Sequence, residues 1–229
     1  MTYDAVLTQI PYSDPIEQAI KFAENAEPRV PVVVLADVSA SMTGAPIEAL
    51  MTGLKVFREE VMANPLAAKR VEVSLVSFST TVVATPFTSI DEFVPPMLMA
   101  EGATSMGAAI NKAIAMLRQR KNEYNENGID YYRPWVLLLT DGEPTDEWQA
   151  AAKRVVAGVK DKEFVFIAVG IADANFTVLR SIAGEKAVHL DGLKFSEMFV
   201  WLSQSLSSIS ASAVSDQVTV AAPTLWVVN

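Results

Sequence analysis

Cysteine is absent from the 229 residues, and histidine occurs once, at His189. The chain therefore has no disulfides, zinc–thiolate sites, iron–sulfur clusters or cysteine nucleophiles. The glycine-rich signatures GxGxxG and GxxxxGK[ST] are missing, so neither a dinucleotide site nor a P-loop is supported. No apolar run reaches the ~18 residues of a membrane span. The opening residues lack a basic segment followed by an apolar one, so we expect no secretory signal and a cytoplasmic location.

Charge is scarce and mostly negative. Charged residues make up 20% of the chain against 51% hydrophobic residues, which is typical of a folded globular protein. The formal net charge is -9. Phosphate backbones and anionic membrane surfaces repel an acidic protein, so we expect no nucleic-acid and no membrane partner.

Apolar residues recur in two alternating patterns along the chain. Short β-prone runs predict strands, and apolar residues at helical spacing between them predict helices. The predicted strands are Val30–Ala36, Val71–Ser79, Val82–Phe87, Trp135–Thr140, Phe164–Val169 and Ala187–Leu190. The predicted helices are Ile47–Val61, Ile110–Leu117, Trp148–Val159, Phe176–Ala183 and Phe195–Ile209, with a short helix at Pro15–Ala23 and a possible strand at Ala5–Ile10 before them.

Strands that alternate with helices indicate an α/β fold, with a mostly parallel sheet covered by helices on both faces. The turn at Ser79–Thr81 is short enough to fold Val82–Phe87 back against the preceding strand. Pro86 in that run favours an edge position. We therefore predict that this strand is the one antiparallel edge of the sheet.

Three polar segments follow or precede the predicted elements. They are DVSAS with Asp37, Ser39 and Ser41, EGATS with Thr104, and DGEPTD with Asp141. In an open α/β sheet, ligands bind at the carboxyl ends of the strands, where the strand order reverses. A hard cation such as Mg²⁺ prefers oxygen ligands, and two carboxylates with three hydroxyls provide them. The segments together predict a cation site.

Catalytic and purely structural roles have less support in these segments. A serine nucleophile needs a base, but His189 lies in a predicted strand and no GxSxG motif is present. A phosphoaspartyl enzyme of the haloacid-dehalogenase kind has a second aspartate where this chain has Ser39. Alternatively, Ser39 and Ser41 serve as helix caps and Asp141-Gly142 forms a plain turn, without binding a cation.

The same residues carry a family resemblance. The DVSAS motif, Thr104 and Asp141 resemble the metal-ion-dependent adhesion site of von Willebrand factor A domains over roughly residues 28–210. The resemblance implies a Rossmann-like, six-stranded sheet with one antiparallel edge strand. The resemblance implies that Ser39, Ser41 and Thr104 contact Mg²⁺, Mn²⁺ or Ca²⁺ directly, while Asp37 and Asp141 act largely through water. Ala40 stands where glycine is more common in this family.

Three segments, PVVVLADVSASMTGAPIEAL, LLLTDGEPTD and KFSEMFVWLSQSLSSISAS, are also similar to bacterial TerY-type proteins of tellurite resistance and stress response. On this basis residues 29–212 form the A domain, 1–28 an N-terminal extension that packs on it, and 213–229 a β-prone tail.

The resemblance implies a metal-dependent adaptor that binds an acidic residue of a protein partner, beside a kinase and a phosphatase. Glu143, Asp146, Met42 and Met106 are candidates for the rim of the partner-binding surface. Two other functions stay open. One is a metal-assisted hydrolase with Asp146, Glu143 or Glu101 as base, and the other is a structural protein that assembles through its terminal segments.

Overall fold

A computed structural model describes Pro11, residues 14–214, Trp226 and Val227. The seven strands of this part are β1 Val30–Asp37, β2 Val71–Phe78, β3 Val82–Ala84, β4 Thr88–Ser89, β5 Trp135–Thr140, β6 Val165–Gly170 and β7 Ala187–His189. The α-helices are α1 Pro15–Glu24, α2 Ala45–Met62, α3 Pro65–Arg70, α4 Met106–Glu126, α5 Gln149–Lys160, α6 Phe176–Ala183 and α7 Phe195–Ser210. Short 3₁₀ helices cover Ala40–Met42 and Gly184–Lys186. The predicted strand Ala5–Ile10 lies outside the described residues.

All seven strands belong to one sheet, in the order β3-β2-β1-β5-β6-β7, with β4 also paired to β2. β1 pairs in parallel with β2 on one side and with β5 on the other. The chain winds from β1 toward β2 and later from β5 toward β7, so the winding direction reverses between β1 and β5. This confirms the α/β prediction and places the carboxyl ends of β1 and β5 at the reversal point.

The antiparallel edge differs in one detail from its prediction. Both β3 and β4 pair antiparallel with β2, at Val76–Phe78 and at Glu72–Val73 respectively. The described part of the sheet thus has seven strands instead of six. Pro86 falls between the two pieces and has no N–H to donate to the ladder, so the edge is divided there.

Successive residues of β1 point into two separate apolar layers. Val32, Val34 and Ala36 pack with α2 and α7, whereas Val33 and Leu35 pack with the helices on the opposite face. A strand buried on both faces lacks polar alternation, which explains the unbroken valine-rich run. The helices on both faces hold β1 rigidly, and the polar residues after it begin from a fixed position.

Proline begins two of the short helices. Pro15 begins α1, with the Asp14 carboxylate accepting from Ile16 N at 2.9 Å. Pro65 begins α3, where Asn64 Oδ1 accepts from Leu66 N and Ala67 N. Proline suits the first turn of a helix because the N–H it lacks has no partner there.

Helix α1 and two tail residues, Trp226 and Val227, pack against the rest of the described structure. Phe22 on α1 is buried, and its ring lies 5.7 Å from the ring of Tyr124 on α4. Trp226 is buried against Trp201 of α7, with ring centroids 5.3 Å apart. Val227 forms an antiparallel bridge with Leu190. These contacts connect α1 to α4, and Trp226 and Val227 to α7 and to the residue after β7.

Candidate metal centre

Asp37 is the last residue of β1, and its carboxylate is fully buried. Its Oδ1 accepts a hydrogen bond from Ser39 N at 2.8 Å, and its Oδ2 accepts one from Thr140 Oγ1 at 2.5 Å. Thr140 is the last residue of β5, the neighbouring parallel strand. The two strand ends therefore fix the orientation of this carboxylate from both sides.

The serine hydroxyls lie directly beyond Asp37. The 3₁₀ turn at Ala40–Met42 brings Ser39 Oγ and Ser41 Oγ to 3.0 Å from each other. Ser41 Oγ also donates to Asp141 Oδ1 at 2.7 Å. Residues 100 positions apart in sequence thus meet, because β1 and β5 end at the same edge of the sheet.

The loop that carries Thr104 is tied to the end of β1 by two main-chain bonds. Glu101 N donates to Val38 O at 2.8 Å, and Ala40 N donates to Gly102 O at 3.1 Å. Gly102 has a φ of 75° and its Cα faces Thr80, so a side chain there would be strained and would clash. The glycine lets the loop pass close to Thr80, in the turn after β2.

The position beside Gly142 shows how tightly the oxygens converge. A Cβ at this glycine would lie 3.4 Å from Thr104 Oγ1, 3.7 Å from Ser41 Oγ and 3.9 Å from Asp37 Oδ2. Oxygen atoms of two polar segments therefore surround the glycine of the third, and Asp141 of that third segment joins them through its bond with Ser41. All five predicted ligands, Asp37, Ser39, Ser41, Thr104 and Asp141, are brought together.

The chemistry of this donor set fits a hard divalent cation. Burial raises the pKa of Asp37, the hydrogen bonds from Ser39 and Thr140 oppose that rise, and the charge of Asp141 adds to it. Two acidic groups at one site repel each other, and a cation would relieve the repulsion. In the described part of the chain no three His, Cys, Asp or Glu residues form a metal-binding group. The hydroxyl oxygens of Ser39, Ser41 and Thr104 would complete the shell that the two carboxylates begin, as suits Mg²⁺.

Ala40 fits its position without strain. It lies in the 3₁₀ turn, and Lys162 and Ala172 are the non-glycine residues with positive φ among those that the structure describes. Ala40 therefore has a negative φ, and the turn does not require glycine at this position.

The predicted rim is corrected at three of its four residues. Glu143 is exposed and accepts a hydrogen bond from Asn175 Nδ2 at 2.7 Å. Asp146, in contrast, directs its carboxylate to the N-terminus of α4, where it accepts from two main-chain N–H groups. Met42 and Met106 are fully buried in the two core layers and do not reach the surface. Their apolar side chains follow the polar motifs because helix starts need packing against the sheet.

Thr140 and Thr145 are site residues that the sequence patterns did not reveal to us. Thr140 ends a run of apolar residues, and we assigned it only to the strand. A hydroxyl at the last position of a buried strand was an available signal, since that position faces the ligand edge of the sheet. Thr145 lies among other polar loop residues, and nothing local distinguishes it from them.

His189 is remote from the serines. It lies on β7, three strand positions from β1, which corresponds to about 14 Å at the usual strand spacing. Its ring packs 4.9 Å from that of Phe176. A Ser–His pair is therefore not formed with Ser39 or Ser41.

Comparison with known proteins agrees with the observed fold. Residues 32–197 match the family model of the von Willebrand factor type A domain. The chain belongs to the von Willebrand factor type A family. Its A domain is 25% identical over 171 residues to part of the collagen alpha-4(VI) chain of Mus musculus, covering 71% of this chain and 6% of that one.

Three solved structures have the same fold as this A-domain protein, and each match covers 80% of this chain. A pilus adhesin, SpaC, of Lactobacillus rhamnosus GG matches with a TM-score of 0.64 and 17% identity, over 30% of that chain. Proximal thread matrix protein 1 from the mussel byssus matches with 0.54 and 20%, over 49% of its chain. The ArnB paralog VWA2 of Sulfolobus acidocaldarius matches with 0.51 and 18%, over 45%. The chain thus spans half or less of each of these proteins.

No helix among the residues that the structure describes is both long and apolar enough to cross a membrane.

Proposed function

We propose that this A-domain protein is a metal-dependent adaptor that binds an acidic residue of a protein partner. The observation that carries the proposal is the convergence of five oxygen-bearing side chains. Asp37, Ser41 and Thr104 lie around Gly142, and Ser39 and Asp141 both contact Ser41. Ser39, Ser41 and Thr104 are the hydroxyl ligands, and Asp37 and Asp141 balance the charge. A bound Mg²⁺, or alternatively Mn²⁺ or Ca²⁺, supplies a positive centre that accepts a carboxylate oxygen. This gives local attraction on a protein of net charge -9.

Exposed apolar residues in the segment that precedes Glu101 support a protein partner. Val94, Met97 and Met99 are 80%, 86% and 74% exposed, while Leu98 between the last two is buried. We call these three residues the methionine strip. Methionine is common at protein-binding surfaces because its unbranched chain adapts to different partners, and exposed apolar patches often mark such surfaces.

The methionine strip leads toward the metal centre. Its segment runs along α2 and contacts that helix at two points. Asp91 O accepts from Arg58 Nη2 at one point, and Leu98 N contacts Met51 Sδ at 3.3 Å at the other. Arg58 lies two helical turns after Met51, or about 10 Å farther along the helix. Three residues after Leu98, Glu101 is bonded to the end of β1. A partner that reaches the cation could therefore also cover the strip.

The family supports binding in preference to catalysis. A domains mediate protein–protein contacts, and an adhesin is among the proteins with this fold. Two of the candidate bases have other roles here, because Asp146 caps α4 and Glu143 is bonded to Asn175. From the resemblance to TerY-type proteins, we place the adaptor in cytoplasmic bacterial stress or tellurite-resistance signalling, beside a kinase and a phosphatase.

Titration with Mg²⁺ tests the metal dependence. Isothermal calorimetry and thermal unfolding are measured for the wild type, Asp141→Asn and the control Glu143→Gln, whose side chain is not among the five proposed ligands. A cation at about 100 times its Kd should stabilise the wild type and Glu143→Gln by about 2.7 kcal/mol, and Asp141→Asn much less. A wild type that gives neither heat nor a shift with Mg²⁺, Mn²⁺ or Ca²⁺ would refute the proposal.

Partner binding needs its own experiment. Proteins captured from the native cell are compared with Mg²⁺ and with chelator, for the wild type, Asp141→Asn and the double variant Met97→Ser with Met99→Ser. We expect one set of partners that chelator and Asp141→Asn both release, and that the double variant holds less tightly. Capture that is equal with and without chelator would show that the cation is not the anchor.

A further inference from the structure

Thr145 contacts Thr104 through two hydrogen bonds. Thr145 N donates to Thr104 O at 2.9 Å, and Thr104 N donates to Thr145 Oγ1 at 3.0 Å. Thr145 thereby binds both main-chain polar groups of Thr104, whose carbonyl also accepts from Met106 N at 2.9 Å. The two residues are 41 positions apart in sequence, so this clamp joins the loop before α4 to the loop after β5.

Asp146 extends the same connection to α4. Its Oδ1 accepts from Gly107 N at 3.0 Å, and its Oδ2 accepts from Ala108 N at 2.8 Å. Ser105, at the N-cap position of α4, makes no capping bond with its own side chain. The first N–H groups of a helix need partners, and a carboxylate there is also favoured by the helix dipole. A residue from another loop thus caps this helix.

Gly107 makes the close approach possible. A Cβ at this position would lie 2.7 Å from Glu147 O and 2.8 Å from Trp148 Cα. Both are main-chain atoms that cannot swing aside. Any side chain at residue 107 would therefore push α4 away from the loop that carries Thr145 and Asp146.

We infer that Thr145 and Asp146 are positioning residues that set Thr104 opposite Asp141 in the metal centre. Asp141 lies four residues before Thr145 on the same loop, so the clamp ties two of the ligands to each other. Thr80 and Ser79 hold the neighbours of Thr104 through Ala103 N and Ser105 N, but do not bond Thr104 itself. This inference rests on the proposed function, because it concerns the geometry of the same cation site.

The test measures Mg²⁺ affinity by calorimetry in four variants of the full chain. Thr145→Val removes the hydroxyl at nearly constant shape, and Thr145→Ser restores it. Gly107→Ala adds a Cβ that should push α4 away from the loop that carries Thr145 and Asp146. Thr52→Val is the matched control, because Thr52 is an exposed threonine of α2 whose hydroxyl bonds Glu48 O. Unfolding without Mg²⁺ is recorded for each variant, to separate stability from affinity.

We expect Thr145→Val and Gly107→Ala to weaken Mg²⁺ binding about five-fold or more, as for the loss of one supporting hydrogen bond. Thr145→Ser and Thr52→Val should bind as the wild type does. Equal affinity of Thr145→Val and the wild type would overturn the inference and leave the metal site standing. So would equal loss in Thr145→Val and Thr145→Ser, because the hydroxyl would then not matter. Absence of binding in the wild type itself would instead refute the proposed function.

Discussion

Thr140 Oγ1 donates a hydrogen bond of 2.5 Å to Asp37 Oδ2, which joins the carboxyl ends of two adjacent parallel strands. Both side chains are fully buried, so no solvent replaces this contact if it is lost. The threonine hydroxyl also accepts from Gly142 N at 3.2 Å. One residue outside the ligand set therefore orients both a carboxylate and the loop that carries Asp141.

Replacement of Thr140 by valine should destabilise the protein. The change keeps the shape but leaves Asp37 Oδ2 without its donor, which costs about 1–3 kcal/mol in the free energy of unfolding. Urea unfolding at neutral pH measures the loss. Thr140→Ser, which keeps the hydroxyl, should lose clearly less, and equal losses in the two variants would contradict the role of this bond.

Tyr124 offers a test that is independent of the metal centre. Its buried hydroxyl donates to Glu72 Oε2, and Arg29 and Arg120 pair with the same carboxylate. Tyr124→Phe should cost about 1.5–3 kcal/mol of unfolding free energy, since the bond is to a charged group. Mg²⁺ affinity should not change, because Glu72 lies at the beginning of β2 and Asp37 at the end of β1. A change in Mg²⁺ affinity would show that the two regions are coupled.

The stability difference between Tyr124→Phe and the wild type should depend on pH. Burial, and then the charge of Glu72, raise the pKa of Tyr124 well above its ordinary value of 10.0. Above about pH 10 the unfolded chain releases the tyrosine proton while the folded chain retains it, so rising pH favours unfolding of the wild type. Urea unfolding at about pH 8 and about pH 11 should therefore show a smaller difference at the higher pH. A difference that stays constant would contradict the raised pKa.

Trp226 should stabilise the fold by packing within its own molecule. Its ring packs on Trp201, and its carbonyl accepts from Asp191 N at 2.8 Å. Trp226→Ala should cost about 3–5 kcal/mol, as for other buried aromatic residues. Trp226→Phe should cost less, because Trp226 Nε1 has no hydrogen-bond partner among the described residues and nothing polar is lost. Light scattering should give the same mass for all three proteins, whereas a mass change would point to assembly through the tail.

Gly53 should not tolerate alanine, although alanine favours helices. A Cβ there would lie 2.7 Å from Phe199 Cδ2 and 3.0 Å from Phe195 Cβ. The ring of Phe199 could turn aside, but Phe195 Cβ is fixed to the backbone of α7. Gly53→Ala should destabilise by about 1–3 kcal/mol in urea unfolding. Thr52→Ala, at the exposed neighbour, should change stability by about 0.5 kcal/mol or less, and a similar effect of both changes would refute this packing argument.

The periodicity of the sequence was sufficient to predict the order of strands and helices and the antiparallel edge. Burial on one or both faces repeats along each element, and that repetition is local information. The same local pattern could not separate the short helix α3 from a turn, nor show that Pro86 divides the edge. Both depend on which neighbouring strand or loop supplies hydrogen bonds.

The residue types and order of the motifs indicated the five ligand candidates, because strand ends of an α/β sheet converge. Only the tertiary structure decided the roles of the surrounding residues. Met42 and Met106 proved to be core residues, and Asp146 a helix cap, instead of rim residues. Thr140 gained its role from a contact with Asp37, which is 103 positions away in the sequence. Thr145 gained its role from a contact with Thr104, which is 41 positions away. Such contacts depend on the distance between folded loops, which local sequence spacing does not report.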